Sequence, residues 1–194
     1  MKKIIFSLML ILFASTSFAQ YNVYARMFGI TNGQPQKLVV ETTGEVVTFD
    51  RTGRITSYAI GTDELRYSWD GSRITIAAYQ GGNKLAEDYM TVTTNTSHEV
   101  VISLPGATVK EVYRANGSES QSIISSNGQS MVEQCYYNSD SDVAPYRITL
   151  SADGDSETSD FSGYQYDAEG NWIVRTIKVN GQSQIEIRTI TYYQ

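Results

Sequence analysis

The side chains that most often catalyse reactions or bind transition metals are scarce in this chain. Its 194 residues include one histidine, His98, and one cysteine, Cys135, beside 21 aspartates and glutamates. Nucleophilic catalysis would need a serine or Cys135 to meet His98 and an orienting acid. Zinc normally draws on three or four His and Cys ligands. The composition therefore predicts no structural zinc site, no cofactor and no catalytic residues, and we expect a non-enzymatic protein.

The surroundings of these two residues favour structural roles. His98 lies in the polar segment 94–99, which predicts an exposed turn before a strand at 100–104. Cys135 lies in the run Met-Val-Glu-Gln-Cys-Tyr-Tyr, which predicts a buried strand thiol rather than a reactive or intermolecular one. A single cysteine also rules out a disulfide framework within the chain.

Carboxylates are the remaining groups that could bind a metal ion or catalyse a reaction. Segment 153–160 holds four acids in eight residues, and calcium prefers such oxygen ligands. The spacing differs from that of the helix-loop-helix calcium motif, and a solvated hairpin loop explains the acids equally well. Acids distant in sequence could also meet in space for glycoside hydrolysis. A carboxylate-dependent hydrolase of envelope or host polysaccharide is therefore the alternative function.

The charge pattern argues against two classes of ligand. The formal net charge is −6, and the basic residues are scattered singly rather than clustered. Binding to a phosphate backbone needs a clustered basic face, so we expect no nucleic-acid partner. The only Gly-rich segment with a lysine, 81–84, has the composition of a hairpin turn, so we expect no nucleotide cofactor.

The N-terminus has the pattern of a signal peptide. Lys2 and Lys3 precede an apolar run at 4–14, and Ser17-Phe18-Ala19 places small residues at the two positions that define a cleavage site. The apolar run is shorter than the roughly 20 residues of a spanning helix. We therefore predict a signal peptide at 1–19, export to the periplasm or the medium, and a mature chain from 20 to 194 that does not span a membrane.

The mature sequence is dominated by short alternating runs separated by turn dipeptides. Asn-Gly occurs four times and Asp-Gly twice, and both pairs suit tight hairpin turns with positive φ. Helix signals are almost absent, so we predict a single all-β domain, an antiparallel meander of hairpins that forms a curled sheet or a sandwich. The predicted strands are 21–30, 37–42, 45–49, 55–60, 64–69, 72–79, 84–93, 99–104, 110–114, 121–125, 130–137, 146–151, 159–167, 171–179 and 184–193.

Three segments share an aromatic residue, an Asp, a Gly within the turn and a departing strand: 47–56, 67–75 and 164–172. The Asp is expected to cap backbone N–H groups of the turn. The best-spaced segment contains Tyr164, Tyr166, Asp167, Gly170, Asn171 and Trp172. It resembles the tyrosine-aspartate (YD) repeats of Rhs-type secreted bacterial proteins. This resemblance assigns hairpin repeats to 47–79 and 164–193 and implies a structural role for them.

Residue type gives the only indication of a recognition surface. The aromatic side chains of the repeats, Trp69, Tyr79, Tyr166 and Trp172, are the candidates, although packing in the core or the turns explains them as well. The expected function is an exported β-repeat module that binds or scaffolds an unknown protein or glycan partner in the periplasm or at the cell exterior.

Overall fold

The computed structural model describes residues 24–194 as an all-β structure with one 3₁₀ helix, Ala25–Phe28. The predicted signal peptide lies outside these residues. The part of the chain from Tyr24 onward has no helix with the length and apolar composition of a membrane span. The fourteen strands are β1 Pro35–Val40, β2 Glu45–Phe49, β3 Ile55–Ile60, β4 Asp63–Asp70, β5 Arg73–Gln80, β6 Asn83–Asn95, β7 Glu99–Leu104, β8 Ala107–Tyr113, β9 Glu119–Ser126, β10 Gln129–Tyr136, β11 Arg147–Ala152, β12 Asp155–Tyr166, β13 Trp172–Val179 and β14 Gln182–Tyr192.

The fourteen strands form one closed barrel rather than a curled sheet or a sandwich. Each strand pairs antiparallel with its neighbours in the chain, and β14 pairs with β1 to complete the ring. Leu38 of β1 lies opposite Ile190 of β14 at this closing pair. The all-β meander is confirmed and its open form is wrong. The terminal strands have no free edge, because closure pairs β14 with β1.

The turns differ between the two ends of the barrel. At one end, Asn127-Gly128, Asp153-Gly154 and Asn180-Gly181 form two-residue turns in which both residues have positive φ, as tight hairpins require. At the other end, the turns 50–54 and 167–171 are longer. The Asp50 carboxylate accepts hydrogen bonds from the N–H groups of Thr52 and Arg54, as predicted for an Asp cap.

The N-terminal segment differs from the predicted strand at 21–30. From Ala25 the chain forms the 3₁₀ helix, with Gly29 in the left-handed conformation after it. The Ala25 N–H donates to the carbonyl of Gly53, and the side chains of Ala25 and Met27 are buried in the main apolar cluster. The segment therefore packs against the barrel core instead of adding a strand to its wall.

The interior is apolar on one side of the barrel and mixed on the other. The larger buried cluster takes its strand residues from β1–β8 and includes Phe49, Ile74 and Ile102. A smaller cluster joins Cys135, Ile148, Phe161 and Ile177 from β10–β13. Several inward-facing positions between β8 and β14 carry charged side chains instead, and these line the candidate site.

The acidic segment 153–160 is mostly strand rather than a loop. Asp153 and Gly154 make the turn, and β12 begins at Asp155. The Asp160 carboxylate accepts a hydrogen bond of 2.7 Å from Arg147, and Glu157 accepts one from Asn180. Asp155 and Glu157 share one face of β12 and Asp160 lies on the other. Among the described residues, these acids do not form a group of three or more converging metal ligands.

Candidate functional site

An internal cavity of about 290 Å³ lies between β1–β2 and the β9–β14 side of the barrel. One wall is apolar and includes Leu38, Val40 and Val47. The opposite wall carries charged and aromatic side chains. Glu45 of β2 is a charged lining residue on the first side, and the charged lining residues from β9–β14 are Glu119, Glu133, Arg175, Glu186 and Arg188. A cavity with an apolar wall and a few convergent polar groups is the usual form of a small-molecule site.

Strand register brings the acids of this wall together. Glu111 of β8 lies opposite Ser122 of β9, and Ser122 lies opposite Glu133 of β10, so the three side chains form a row on the inward face. Glu119 starts β9 beside the bulge that follows Val112. In a strand, the residues two positions before and after Glu111 and Glu133 share their face, and these neighbours are apolar. A single acid within such an apolar face is the signal by which the sequence could have identified them.

The acids and Cys135 form a compact cluster. One ligand atom each of Glu119, Glu133 and Cys135 lie within 4.8 Å of one another. Burial raises the pKa of Glu111 to about 8, and burial together with Glu111 and Glu133 raises the pKa of Glu119 well above its usual value. Burial and the nearby acids also raise the pKa of the Cys135 thiol. A buried, protonated thiol is a poor nucleophile.

Arg175 and Glu186 form a buried ion pair on the same wall. Arg175 Nη2 lies 2.9 Å from Glu186 Oε2, with the side chains 5% and 14% exposed. The guanidinium of Arg175 also lies 4.1 Å from the ring centroid of Trp172. The pair is charge-compensated, so the acids elsewhere on the cavity lining leave the site with an excess of carboxylates.

Arg188 links the cavity wall to the N-terminal segment. Its guanidinium donates hydrogen bonds to the carbonyls of Trp172, Phe28 and Gly29, and its carbon lies 3.4 Å from the Trp172 ring centroid. Burial lowers the pKa of Arg188 to about 9. The side chain is held by backbone carbonyls and an aromatic face, so its role is to fix the end of the cavity.

The four aromatic residues predicted for recognition do not form one surface. Trp172 is 5% exposed and lines the cavity. Trp69 is partly buried and donates its indole N–H to the carbonyl of Ile55. Tyr79 lies on β5 under the guanidinium of Arg66. Tyr166 is 47% exposed and stacks on Tyr164. Binding by any of them stays a prediction.

The two residues that were considered as a catalytic pair, His98 and Cys135, lie in different surroundings. His98 is exposed in the turn between β6 and β7, as predicted. Cys135 is a buried strand thiol, as predicted. The acids that surround Cys135 were not identified from the sequence, because they come from strands that meet only through pairing.

Comparison with known proteins gives a distant structural likeness. No family model matches the chain, and no curated protein matches it. Among solved structures, a porin-like protein from Bacteroides vulgatus ATCC 8482 is similar with 12% sequence identity and a TM-score of 0.43. The match covers 82% of this chain and 98% of that one. At this distance the likeness has no weight for function.

The closed barrel corrects the predicted function. The predicted exported module of hairpin repeats is overturned because the fourteen strands close around one interior instead of forming an open array of repeats. The polysaccharide hydrolase is not supported either. The close carboxylates lie inside the barrel on a cavity of about 290 Å³, whereas a polysaccharide chain needs an open cleft.

The same closure corrects the prediction that the mature chain does not span a membrane. That prediction considered only apolar helices, and closed barrels are the form in which strands cross a bilayer. Export stays a prediction, and the closed barrel adds the outer membrane to the possible locations. The YD-repeat resemblance and the protein or glycan partner stay predictions.

Proposed function

We propose that this chain is a non-enzymatic β-barrel that takes a small amphipathic molecule into its interior cavity. The observation that supports this proposal is the two-sided lining, with the aliphatic side chains on β1–β2 and most of the carboxylates on β9–β14. The proposed ligand site lies inside the barrel, whereas the sequence analysis placed recognition on an outer surface of the repeats. The proposal concerns the interior only and is the same whether the outer wall meets water or lipid.

The lining indicates the chemistry of the ligand. Leu38, Val40 and Val47 offer an apolar surface for a hydrocarbon or aromatic body. On the polar side, Glu119 Oε1 has no hydrogen-bond donor among the described residues. Glu45, at the start of β2, already accepts a hydrogen bond from the Tyr58 hydroxyl. A buried acceptor without a partner is costly, so a ligand that supplies the donor gains affinity. The ligand best suited to this lining has an apolar body and an amine or another donor-rich head.

A fluorescent amine tests this proposal. Dansylcadaverine has an aromatic body and an ammonium head, and dansylglycine has the same body with a carboxylate head. We expect dansylcadaverine to bind one per chain with a blue-shifted emission and dansylglycine to bind at least tenfold more weakly. Absence of dansylcadaverine binding, or equal binding of both probes, would contradict the proposed ligand chemistry.

Two neighbouring valines of β1 provide a matched pair of variants. Val40 faces the cavity, whereas Val39 alternates to the outer wall. Val40→Phe should fill the cavity and abolish probe binding, and Val39→Phe should retain it. Circular dichroism confirms that each variant keeps its β structure. Retention of binding in Val40→Phe would place the probe outside the cavity.

A membrane-embedded barrel is a second candidate, favoured by β14. On this strand Ile185 and Ile187 are exposed, whereas Glu186 and Arg188 point inward, which is the alternation of a transmembrane barrel strand. The outer wall elsewhere carries ion pairs, such as Lys110 with Glu99. Since charges near the bilayer centre cost about 2–4 kcal/mol each, this candidate requires those pairs to lie near the lipid headgroups.

Flotation with liposomes tests the second candidate. Protein refolded from urea in the presence of phosphatidylethanolamine and phosphatidylglycerol vesicles should float with them if the barrel inserts. The double variant Ile185→Asn, Ile187→Asn should then lose flotation, and Thr189→Asn on the same strand should keep it. Wild-type protein that stays at the bottom of the gradient contradicts the membrane candidate and leaves the internal site untouched.

A further inference from the structure

The cluster of Glu111, Glu119, Glu133 and Cys135 combines three acids and a thiol on three adjacent strands. The proposed ligand site accounts for part of the lining but not for this concentration of acid groups. Ser122 donates a hydrogen bond of 2.9 Å to Glu111 Oε1, and Glu111 Oε2 has no partner among the described residues. Glu119 Oε1 has no other donor either, and the Glu111 and Glu119 carboxyl groups contact each other in a hydrogen bond.

Glu111 provides the observation that points to a ligand. It is 1% exposed, and its carboxylate interacts electrostatically with those of Glu119 and Glu133. Two arginines act electrostatically on the cluster, Arg26 on Glu111 and Arg175 on Cys135. Arg26 also donates to the carbonyl of Thr96, and Arg175 also pairs with Glu186. Two buried carboxyl groups in contact, with a third nearby, need a shared proton or a cation between them.

We propose that a divalent transition-metal ion of the zinc type binds between Glu119, Glu133 and Cys135, with Glu111 as the fourth ligand. The thiol selects the class of metal. Calcium and magnesium take oxygen ligands, whereas zinc binds both thiolate and carboxylate in a four-coordinate site. The metal displaces the thiol proton and the protons that its carboxyl ligands carry, and solvent takes up all of these protons on binding.

The geometry is close to that of such a site. A tetrahedral zinc ion with its usual bond lengths spaces its ligand atoms roughly 3.3–3.8 Å apart. The ligand atoms of Glu119, Glu133 and Cys135 lie within 4.8 Å, so small side-chain rotations bring them into range. Counting His and Cys cannot predict this site, because most of its donors are carboxylates that strand pairing assembles. The inference does not rest on the proposed organic ligand, because the ion needs no second molecule.

Cobalt spectroscopy with the purified, EDTA-treated chain tests the metal site directly. Co²⁺ should bind one per chain and give a near-ultraviolet band from sulfur-to-cobalt charge transfer, together with the visible bands of a tetrahedral ion. Zn²⁺ should displace it, and Ca²⁺ should not. Absence of the charge-transfer band in the wild-type chain overturns the proposal, as does displacement of the cobalt by Ca²⁺.

Variants test whether the metal binds to this cluster or to acids on the surface. Cys135→Ser should abolish the charge-transfer band, and Glu119→Gln and Glu133→Gln should weaken Zn²⁺ binding at least tenfold in calorimetry. Glu99→Gln, an outer-wall acid on β7, is the control and should bind as the wild type. Unchanged Zn²⁺ affinity in Cys135→Ser and Glu119→Gln, with β structure intact, overturns the proposal. Dansylcadaverine binding measured on the same metal-free samples keeps the failure of one proposal distinct from failure of the other.

Discussion

Arg175 and Glu186 face each other across β13 and β14 inside the barrel, with Nη2 and Oε2 separated by 2.9 Å. Removing one member of a buried pair leaves a charge without its compensation, which typically costs 3–5 kcal/mol. We expect Glu186→Gln to lower the free energy of unfolding by about 3 kcal/mol, measured by urea denaturation.

An exposed pair supplies the control for this prediction. Lys84 and Glu87 lie 2.5 Å apart with about half of each side chain exposed. Because exposed pairs contribute about 0–1 kcal/mol, Glu87→Gln should change stability little. Equal losses in Glu186→Gln and Glu87→Gln would show that solvent reaches the Arg175 pair.

The second prediction concerns the pH dependence of stability. Burial raises the pKa of Glu111 from about 4.5 to about 8, so the folded state favours the protonated acid. The resulting stability is present below the pKa of the unfolded chain and is lost as the pH rises through about 8. Metal-free protein should therefore be less stable at pH 8 than at pH 5.

Replacing the acid by its neutral isostere should reduce this loss. Glu111→Gln should be more stable than the wild type at pH 8 by a few kcal/mol, since one pKa unit corresponds to about 1.4 kcal/mol. Urea midpoints at pH 5, 7 and 8 in EDTA measure the effect, and Glu157→Gln on the exposed part of β12 is the control. A wild-type stability that does not fall between pH 5 and pH 8 would contradict the assignment.

The strands could be predicted from the sequence because alternation and turn dipeptides are local signals. Fourteen of the fifteen predicted strands correspond to observed ones, and the tight turns at Asn127, Asp153 and Asn180 have the expected positive φ. Closure could not be predicted in this way. It depends on pairing of Leu38 with Ile190, which lie at opposite ends of the chain and carry no local sign of their contact.

The site was missed for a related physical reason. On β14 both alternating sets contain apolar residues, so the sequence does not determine which set faces inward. The structure turns Glu186 and Arg188 inward and leaves Ile185 and Ile187 exposed, because the guanidinium of Arg188 finds backbone carbonyls inside. Such partners come from distant segments and exist only in the folded barrel.

The third prediction compares the stability lost on truncating two aromatic residues, Trp172 and Tyr166, to which the sequence analysis gave the same candidate role. Trp172 is buried against two guanidinium groups, and Tyr166 is 47% exposed. Trp172→Ala should cost about 3–5 kcal/mol, as truncation of a buried aromatic does. Tyr166→Ala should cost less than about 1 kcal/mol, within the usual range of surface changes. Thermal and urea unfolding of both variants test this difference, and similar losses would contradict the burial of Trp172.

The last prediction uses two glycines with the same backbone conformation and different surroundings. Gly33 and Gly44 have φ of +76° and +74°, so alanine is strained to a similar degree at both. A Cβ on Gly33 would lie 2.7 Å from Cε1 of Tyr192, whereas a Cβ on Gly44 meets no atom within 4 Å.

The ring of Tyr192 cannot move away easily. Its hydroxyl donates to Asp167 at 2.6 Å and accepts from Asn171 at 2.7 Å. Gly33→Ala should therefore destabilise the barrel by about 1–3 kcal/mol more than Gly44→Ala, which is the usual cost of overpacking. Urea denaturation of the two variants measures the difference directly. Equal destabilisation would mean that the ring yields to the methyl group, and the hydrogen bonds of Tyr192 would then contribute little to holding the loop 29–34 against the barrel.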